Sequence, residues 1–147
     1  MKKFLFAILI ALTGFAQQVF ASNNVVNNTS CDIRVTAVIY SASTATSCSV
    51  IITCMTVTVA AHSTATLPGC VAVGTDDLLG FDVCWADAIC ATVPCVSIGN
   101  STGPYPCASF PAGPVSMPAC GSCSPTTTPV TVTWVGATAG GANLVIG

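Results

Sequence analysis

The ten cysteines have the widest chemical repertoire of any residue type in this 147-residue chain. Thiols form disulfides in oxidising compartments, bind soft metal ions, and transfer electrons when paired in a C-x-x-C motif. Cys120-Gly-Ser-Cys123 has that spacing, but prolines surround it and no βαβ pattern accompanies it, which favours a structural bridge. Zinc knuckles come as two such pairs, and the sequence offers one. We therefore interpret all ten as disulfide candidates, with no metal site, and leave their pairing open: Cys31, Cys48, Cys54, Cys70, Cys84, Cys90, Cys95, Cys107, Cys120 and Cys123.

Two short strings imitate the catalytic residues of serine hydrolases. The string around His62 resembles the histidine segment of chymotrypsin-like proteases, and residues 99–103 fit the G-x-S-x-G expression with Ser101 at its centre. A nucleophile elbow needs a helix after the serine, whereas two prolines follow within five residues, and neither Asp nor His occurs later in the chain. The strings therefore predict no protease. His62 is interpreted as a turn residue at the rim of a hairpin.

The aspartates are the remaining candidates for acid–base or metal chemistry. Asp76, Asp77, Asp82 and Asp87 lie close together in sequence, so they could supply the carboxylate pair of a glycosidase or hard oxygen ligands for calcium. They lack the regular D-x-D-x-D-G spacing of a calcium loop, and solvated loop carboxylates explain them more simply. We predict no catalytic residue and no cofactor, and the protein is expected not to be an enzyme.

Residues 1–21 have the three parts of a secretory signal peptide. Lys2 and Lys3 form a basic start, residues 4–12 form an apolar run, and Ala21 is a small residue before a plausible cleavage point, with a second one after Ala16. The apolar run is too short to span a bilayer, and no later segment reaches that length. We expect residues 22–147 to be one secreted domain, extracellular or at the cell surface, with no membrane insertion after leader removal. An exported chain meets conditions in which its cysteines pair.

The composition of residues 22–147 opposes helices. Lys, Glu and Gln are absent, while Thr, Val and Ser are abundant, and Pro and Gly recur frequently after Leu67. Short strands joined by tight turns are the expected result. We predict an all-β fold, a single antiparallel β-sandwich of immunoglobulin-like size stapled by disulfides, with a Pro/Gly/Cys-rich loop region.

Alternating polar and apolar residues locate most of the strands. The stretch 48–60 is long for one strand, so a bulge or bend is expected near Cys54. In the loop region 99–129 we expect ordered loops and short edge strands pinned by Cys107, Cys120 and Cys123. The other predicted elements are strands at 31–40, 63–67, 81–85 and 93–98, a single helical turn at 87–90, and a closing hairpin of 129–135 with 143–146.

The near absence of charge is the main indication of function. After removal of the leader, Arg34 and five aspartates give a net charge of about −4, which excludes a phosphate-binding surface for nucleic acid. Strand edges without lysines are templates for pairing with another chain. We therefore expect a self-assembling structural protein, forming a fibre, a pilus-like filament or a surface layer. The alternative is a monomeric adhesin or carbohydrate-binding module that stacks aromatic rings on surface glycans, with Tyr40, Trp85, Tyr105 and Trp134 as the candidates.

Two segments give the chain a family resemblance. Asn27-Asn28-Thr29-Ser30-Cys31-Asp32 opens the first predicted strand, and Thr58-Val59, Ser63-Thr64 and Leu67-Pro68-Gly69-Cys70 form the next unit. Together they resemble small secreted cysteine-rich β proteins of Bacteroidota-type bacteria. The resemblance covers about the first third of the secreted chain. It implies a bacterial β protein of the cell exterior and carries over no site residues.

Overall fold

The computed structural model describes residues 23–44, 47–68, 70, 77–99, 109–121, 123, 129–138 and 141–147. At 42–44, 47–48, 77–78, 136–138 and 141–142 only the backbone is described. The predicted signal peptide, residues 1–21, lies outside these ranges, as do Ser101, Tyr105, Cys107 and Asp76.

Strands dominate the described chain and pack as two sheets. The first sheet has the order β4-β1-β9-β8-β7, and the second has the order β3-β2-β5-β6. The only described helix is a single 3₁₀ turn at Ala88–Cys90. The all-β sandwich prediction is confirmed. The strands are β1 (Asn23–Asn27), β2 (Ile33–Thr44), β3 (Ser47–Val59), β4 (Ser63–Leu67), β5 (Asp77–Trp85), β6 (Val96–Gly99), β7 (Val115–Met117), β8 (Val130–Thr138) and β9 (Gly141–Ile146).

The core lies between the sheets and follows from the alternation along β2 and β5. On β2, Ile33, Val35, Ala37 and Ile39 are buried, while Arg34 between them is exposed. The partner strand β5 contributes a matching row of buried side chains, namely Leu79, Phe81, Val83 and Trp85. Each large apolar side chain taken fully out of water stabilises the fold by about 1.5–3 kcal/mol, so these rows hold the sheets together.

β3 is interrupted by β-bulges, as its length predicts. Thr36 faces Thr56 but Val38 faces Thr53, so β3 has one extra residue between these two pairs, beside Cys54. A second extra residue, Ile51, separates the Ile39–Ile52 and Tyr40–Val50 pairs. The expected bulge near Cys54 is therefore confirmed, and the strand is bent twice.

His62 lies in the turn between β3 and β4, but these two strands do not form a hairpin. β4 pairs antiparallel with β1 in the other sheet, so the chain crosses the sandwich at this turn. His62 has a positive φ of 51°, and its N–H donates to the Thr29 carbonyl oxygen at 3.1 Å. The turn prediction is confirmed, and the hairpin interpretation is corrected. Sequence alternation cannot show which sheet a strand joins, which explains the error.

Most other local predictions are confirmed, although the strand predicted at 93–98 begins only at Val96 (β6), and two short strands were missed. The helical turn near residues 87–90 is the 3₁₀ turn with Asp87 as its N-cap, and β8 and β9 form the closing hairpin. β7 is a three-residue edge strand inside the loop region, as expected of that region, although its position was not foreseen. β1 is parallel to β9 and has the sequence NNVVN, too polar to be recognised as a strand. Within the described residues no helix is both long and apolar enough to cross a bilayer.

One buried asparagine joins the two sheets. Asn27, at the end of β1, is fully buried, and its side-chain nitrogen donates to the carbonyl oxygens of Cys31 at 2.8 Å and of Val59 and Ala60 at 3.0 Å each. Its side-chain oxygen accepts from the N–H of Thr29 at 3.0 Å and from the Thr29 hydroxyl at 2.7 Å. Because Val59 belongs to β3, this amide connects the first sheet to the edge of the second.

Candidate functional site

Four disulfides join eight of the ten candidate cysteines. The bridges are Cys31–Cys123, Cys54–Cys70, Cys84–Cys95 and Cys90–Cys120. Cys107 lies outside the described residues, and only the backbone of Cys48 is described. Bridges of this number are typical of proteins that mature in an oxidising environment. The prediction that these eight cysteines form disulfides is confirmed.

Cys120 and Cys123 belong to two different bridges that contact each other. Cys120 is bonded to Cys90 and Cys123 to Cys31, although the Cys123 N–H donates to the Cys120 carbonyl oxygen at 2.8 Å within one tight turn. The Sγ atoms of Cys90 and Cys123 are 3.4 Å apart. The sulfurs of Cys90, Cys120 and Cys123 all lie within 4.8 Å of one another, and all three residues are buried. We call Cys31, Cys90, Cys120 and Cys123 the sulfur cluster.

One end of the sulfur cluster faces an open cavity. The cavity has a volume of about 460 Å³ and is lined by Ser30, Cys31, Asp32, Thr58, Ala86 and Asp87. Cys31 is half-buried, whereas Cys123 is fully buried. The order from the cavity inward is therefore Cys31, then Cys123, then the Cys90–Cys120 bridge.

The described aspartates are used in local structure. The Asp32 carboxylate accepts from the Ala61 N–H at 3.0 Å, and the Asp87 carboxylate accepts from the Ile89 N–H at 3.0 Å. The Asp82 carboxylate accepts from the Ser97 hydroxyl at 2.6 Å, across the β5–β6 pair. Within the described residues, two groups of three side chains could hold a metal ion. One is Cys90, Cys120 and Cys123, and the other is Cys31, Asp87 and Cys123, so Asp87 is the one carboxylate in either group. The predicted absence of a catalytic carboxylate pair stays a prediction.

Two of the four aromatic candidates for sugar stacking are inside the fold. Tyr40 is buried, and its ring stacks on Phe110 with 4.4 Å between ring centroids and 4° between planes. Trp85 is buried and donates its indole N–H to the Pro118 carbonyl oxygen at 3.0 Å. Trp134 is half-buried, edge-on to Phe81 at a centroid distance of 4.8 Å.

A pair of glycines makes room for the Tyr40–Phe110 stack. Gly80 and Gly99 face each other across β5 and β6. A Cβ atom on Gly99 would lie 2.5 Å from the Tyr40 hydroxyl oxygen and 2.7 Å from the Phe110 carbonyl oxygen. The Gly99 N–H donates to the Pro111 carbonyl oxygen at 3.0 Å, so residues 110–111 lie against β6 at its edge of the sheet. That edge is therefore partly covered.

β3 is an edge strand of its sheet within the described chain, and three of its exposed side chains are large and apolar. β3 has thirteen residues, which corresponds to roughly 40 Å of strand, and its sequence has neither charge nor proline. Within the described chain it is paired on one side, by β2. Val50, Ile51 and Met55 are 47%, 48% and 46% exposed. The only other exposed large apolar side chains in the described part of the chain are Ile89 and Val135.

Native edge strands are normally protected by lysines, prolines, covering segments or bulges. Of these devices, β3 shows the bulges at Ile51 and beside Cys54. They restrict the registers in which another strand can pair, and they leave the apolar side chains exposed. The sequence indicated the strand but not its edge position. The consecutive apolar residues Val50, Ile51 and Ile52 break the alternation, and such a run is typical of a strand buried on both faces, so the local pattern pointed away from an edge.

Comparisons with known protein families, with curated proteins and with solved structures find no match to this chain.

Proposed function

We propose that this is a secreted structural protein that assembles with copies of itself through the edge of β3. The observation that carries the proposal is the uncharged edge strand described above, with its exposed apolar side chains Val50, Ile51 and Met55. The predicted signal peptide and the disulfides support secretion as part of this proposal. In this proposal the assembled form is a fibre, a pilus-like filament or a surface layer outside the cell.

A second copy of the chain is the partner that fits this edge. Antiparallel pairing of β3 with β3 of another copy is a two-fold contact, so the same apolar side chains lie on both sides of it. No charge is buried or opposed when two such edges meet, because β3 carries none. The contact would join two four-stranded sheets into one sheet of eight strands. Growth beyond a dimer requires a second contact on another edge.

The expected result for the oxidised protein without its leader is reversible, concentration-dependent association, with dimers as the first species and filaments or sheets at high concentration. Sedimentation velocity over a concentration series and negative-stain electron microscopy measure the two stages. A strict monomer at high concentration, with no ordered assemblies, would overturn the proposal. Dimers without larger assemblies would retain the β3 contact and reject the fibre.

Met55→Lys is expected to weaken this association by about 100-fold, because each contact loses apolar burial twice and gains two facing charges. The folded monomer should be unaffected, because the Met55 side chain is about half exposed. Ile89→Lys is the matched control, since Ile89 is 74% exposed but lies on the 3₁₀ turn and not on β3. Equal weakening by both variants would point to a general effect of charge and would contradict a contact at β3.

A further inference from the structure

The two disulfides of the sulfur cluster contact each other, which cross-linking of the chain alone does not require. The two bridges close nested loops, 31–123 and 90–120, and the Cys90 and Cys123 sulfurs are 3.4 Å from each other. Once the Cys31–Cys123 bond is broken, the Cys123 side chain has to turn about its own Cα–Cβ bond to bring its sulfur into line with the Cys90–Cys120 bond, and at this separation that needs no large movement of the chain. The C-x-x-C turn creates the proximity, because it delivers one cysteine to each bridge.

We propose that the sulfur cluster is a thiol–disulfide exchange site that accepts two electrons from a dithiol at Cys31. The two original bridges are then replaced by a single Cys90–Cys123 bridge, which leaves Cys31 and Cys120 as thiols. Cys31 is the entry point because it lines the open cavity, while the other three cysteines of the cluster are buried. The chemical class of the substrate is a small dithiol. A dithiol that carries no negative charge besides its attacking thiolate is favoured, because Asp32 and Asp87 line the cavity and the Asp87 carboxylate lies within 4.8 Å of the Cys31 and Cys123 sulfurs.

The exchange has three steps. A thiolate of the dithiol attacks Cys31 Sγ, the Cys31–Cys123 bond breaks, and a mixed disulfide forms while Cys123 leaves as a thiolate. The Cys123 thiolate then attacks Cys90 Sγ, the Cys90–Cys120 bond breaks, and a Cys90–Cys123 bond forms while Cys120 leaves as a thiolate. The second thiol of the dithiol resolves the mixed disulfide, so that the dithiol becomes a cyclic disulfide and Cys31 becomes a thiol. Two electrons are transferred, and the protein has one bridge fewer.

The second step is favoured by proximity. An attacking group held in contact with its target has an effective concentration far above that of a reagent in solution. The product keeps Cys123 bonded to the 3₁₀ turn through Cys90. The turn that contains Cys120 and Cys123 therefore stays attached to the fold after the exposed bridge has been reduced.

The test is limited reduction of the folded, oxidised protein with dithiothreitol, followed by acid quenching, alkylation and peptic digestion. Pepsin is suitable because the secreted chain has a single Arg and no Lys for trypsin, and because low pH stops further exchange. Fragmentation between Cys120 and Cys123 is needed to assign the label. The expected product carries alkyl groups on Cys31 and Cys120 and contains a Cys90–Cys123 linked peptide.

Label on Cys31 and Cys123 with Cys90–Cys120 intact would overturn the proposal, and so would an unlabelled cluster when other bridges have been reduced. The Cys84–Cys95 bridge is the internal control, because Cys95 is exposed and can be reached by dithiothreitol. In the described part of the chain, neither Cys84 nor Cys95 belongs to the groups of close potential metal ligands that include the sulfur cluster. Reduction of this bridge should label Cys84 and Cys95 alone. In a Cys90→Ser/Cys120→Ser variant the label should move to Cys31 and Cys123. If that variant does not fold, the map of the unmodified protein still decides the question.

Discussion

Asn27→Asp is expected to lower the free energy of unfolding by about 3–5 kcal/mol at neutral pH, which is a large part of the roughly 5–15 kcal/mol typical of a domain. The side-chain nitrogen of Asn27 donates to three carbonyl oxygens, all within 3.0 Å. A carboxylate has no hydrogen to donate, so it would face three acceptors while fully buried. Unpaired buried polar groups cost about 1–3 kcal/mol each, and an unpaired buried charge costs more. Urea denaturation with the disulfides intact measures the change.

The pH dependence of this variant gives a second readout. Burial without a donor raises the pKa of the introduced carboxyl in the folded state above the value of about 4 that it has when unfolded. The folded state then holds a proton that the unfolded state releases as pH rises. The variant is therefore expected to be least destabilised below about pH 4 and to lose stability progressively as the pH is raised toward neutrality.

Asn24→Asp is the matched control for the same strand. Asn24 is exposed on β1, where its side-chain oxygen accepts from the Thr66 hydroxyl at 3.0 Å, an interaction that a carboxylate preserves. Its effect should stay within about 0.5 kcal/mol at all pH values. A loss for Asn27→Asp no larger than that of the control would show that the Asn27 amide does not join the sheets as described.

Gly99→Ala is expected to destabilise the fold by about 3 kcal/mol. The added methyl group would meet the Tyr40 hydroxyl oxygen at 2.5 Å and the Phe110 backbone oxygen at 2.7 Å. A backbone atom cannot turn aside as a side chain can, so the segment at 110–111 has to separate from β6 or the Tyr40–Phe110 stack has to open. Loss of the near-ultraviolet circular dichroism of the stacked rings should accompany the loss of stability measured in urea.

Two further glycines calibrate this result. Gly80→Ala meets side-chain atoms only, with Phe110 Cδ1 at 2.8 Å, and should cost about 1–2 kcal/mol because the rings can shift. Gly121→Ala meets nothing within 4 Å and should be close to neutral, within about 0.5 kcal/mol. The order Gly99, Gly80, Gly121 is the expected ranking of destabilisation. An equal effect at all three positions would mean that backbone entropy, rather than the aromatic stack, explains the glycines.

Sequence patterns predicted the features that depend on neighbouring residues. The alternation of β2, the bulge beside Cys54 and the Asp87 turn all reflect interactions within a few residues. A strand such as β1 escaped recognition because Asn23 and Asn27 are polar, and their burial depends on partners supplied by the rest of the fold. Burial of Asn27 is possible because carbonyl groups far along the chain satisfy it.

The features with the largest expected effects combine residues that are distant in sequence. Gly80 and Gly99 are paired across β5 and β6, and the Tyr40 side chain on β2 lies against both of them. The sulfur cluster likewise brings Cys31 to Cys123, which are 92 positions apart. Ten cysteines allow too many pairings for the sequence to choose among them. The edge position of β3 also depends on sheet order, which alternation and turn signals along the chain do not reveal.

The parallel pairing of β1 with β9 also has a mechanical consequence. Asn24 lies beside Asn143 and Asn27 beside Ile146, so the start of β1 and the end of β9 are at opposite ends of one ladder. Tension applied before Asn23 and after Gly147 pulls these neighbouring strands past each other. The hydrogen bonds of the ladder must then break together rather than one after another, and this shear geometry resists extension better than peeling does.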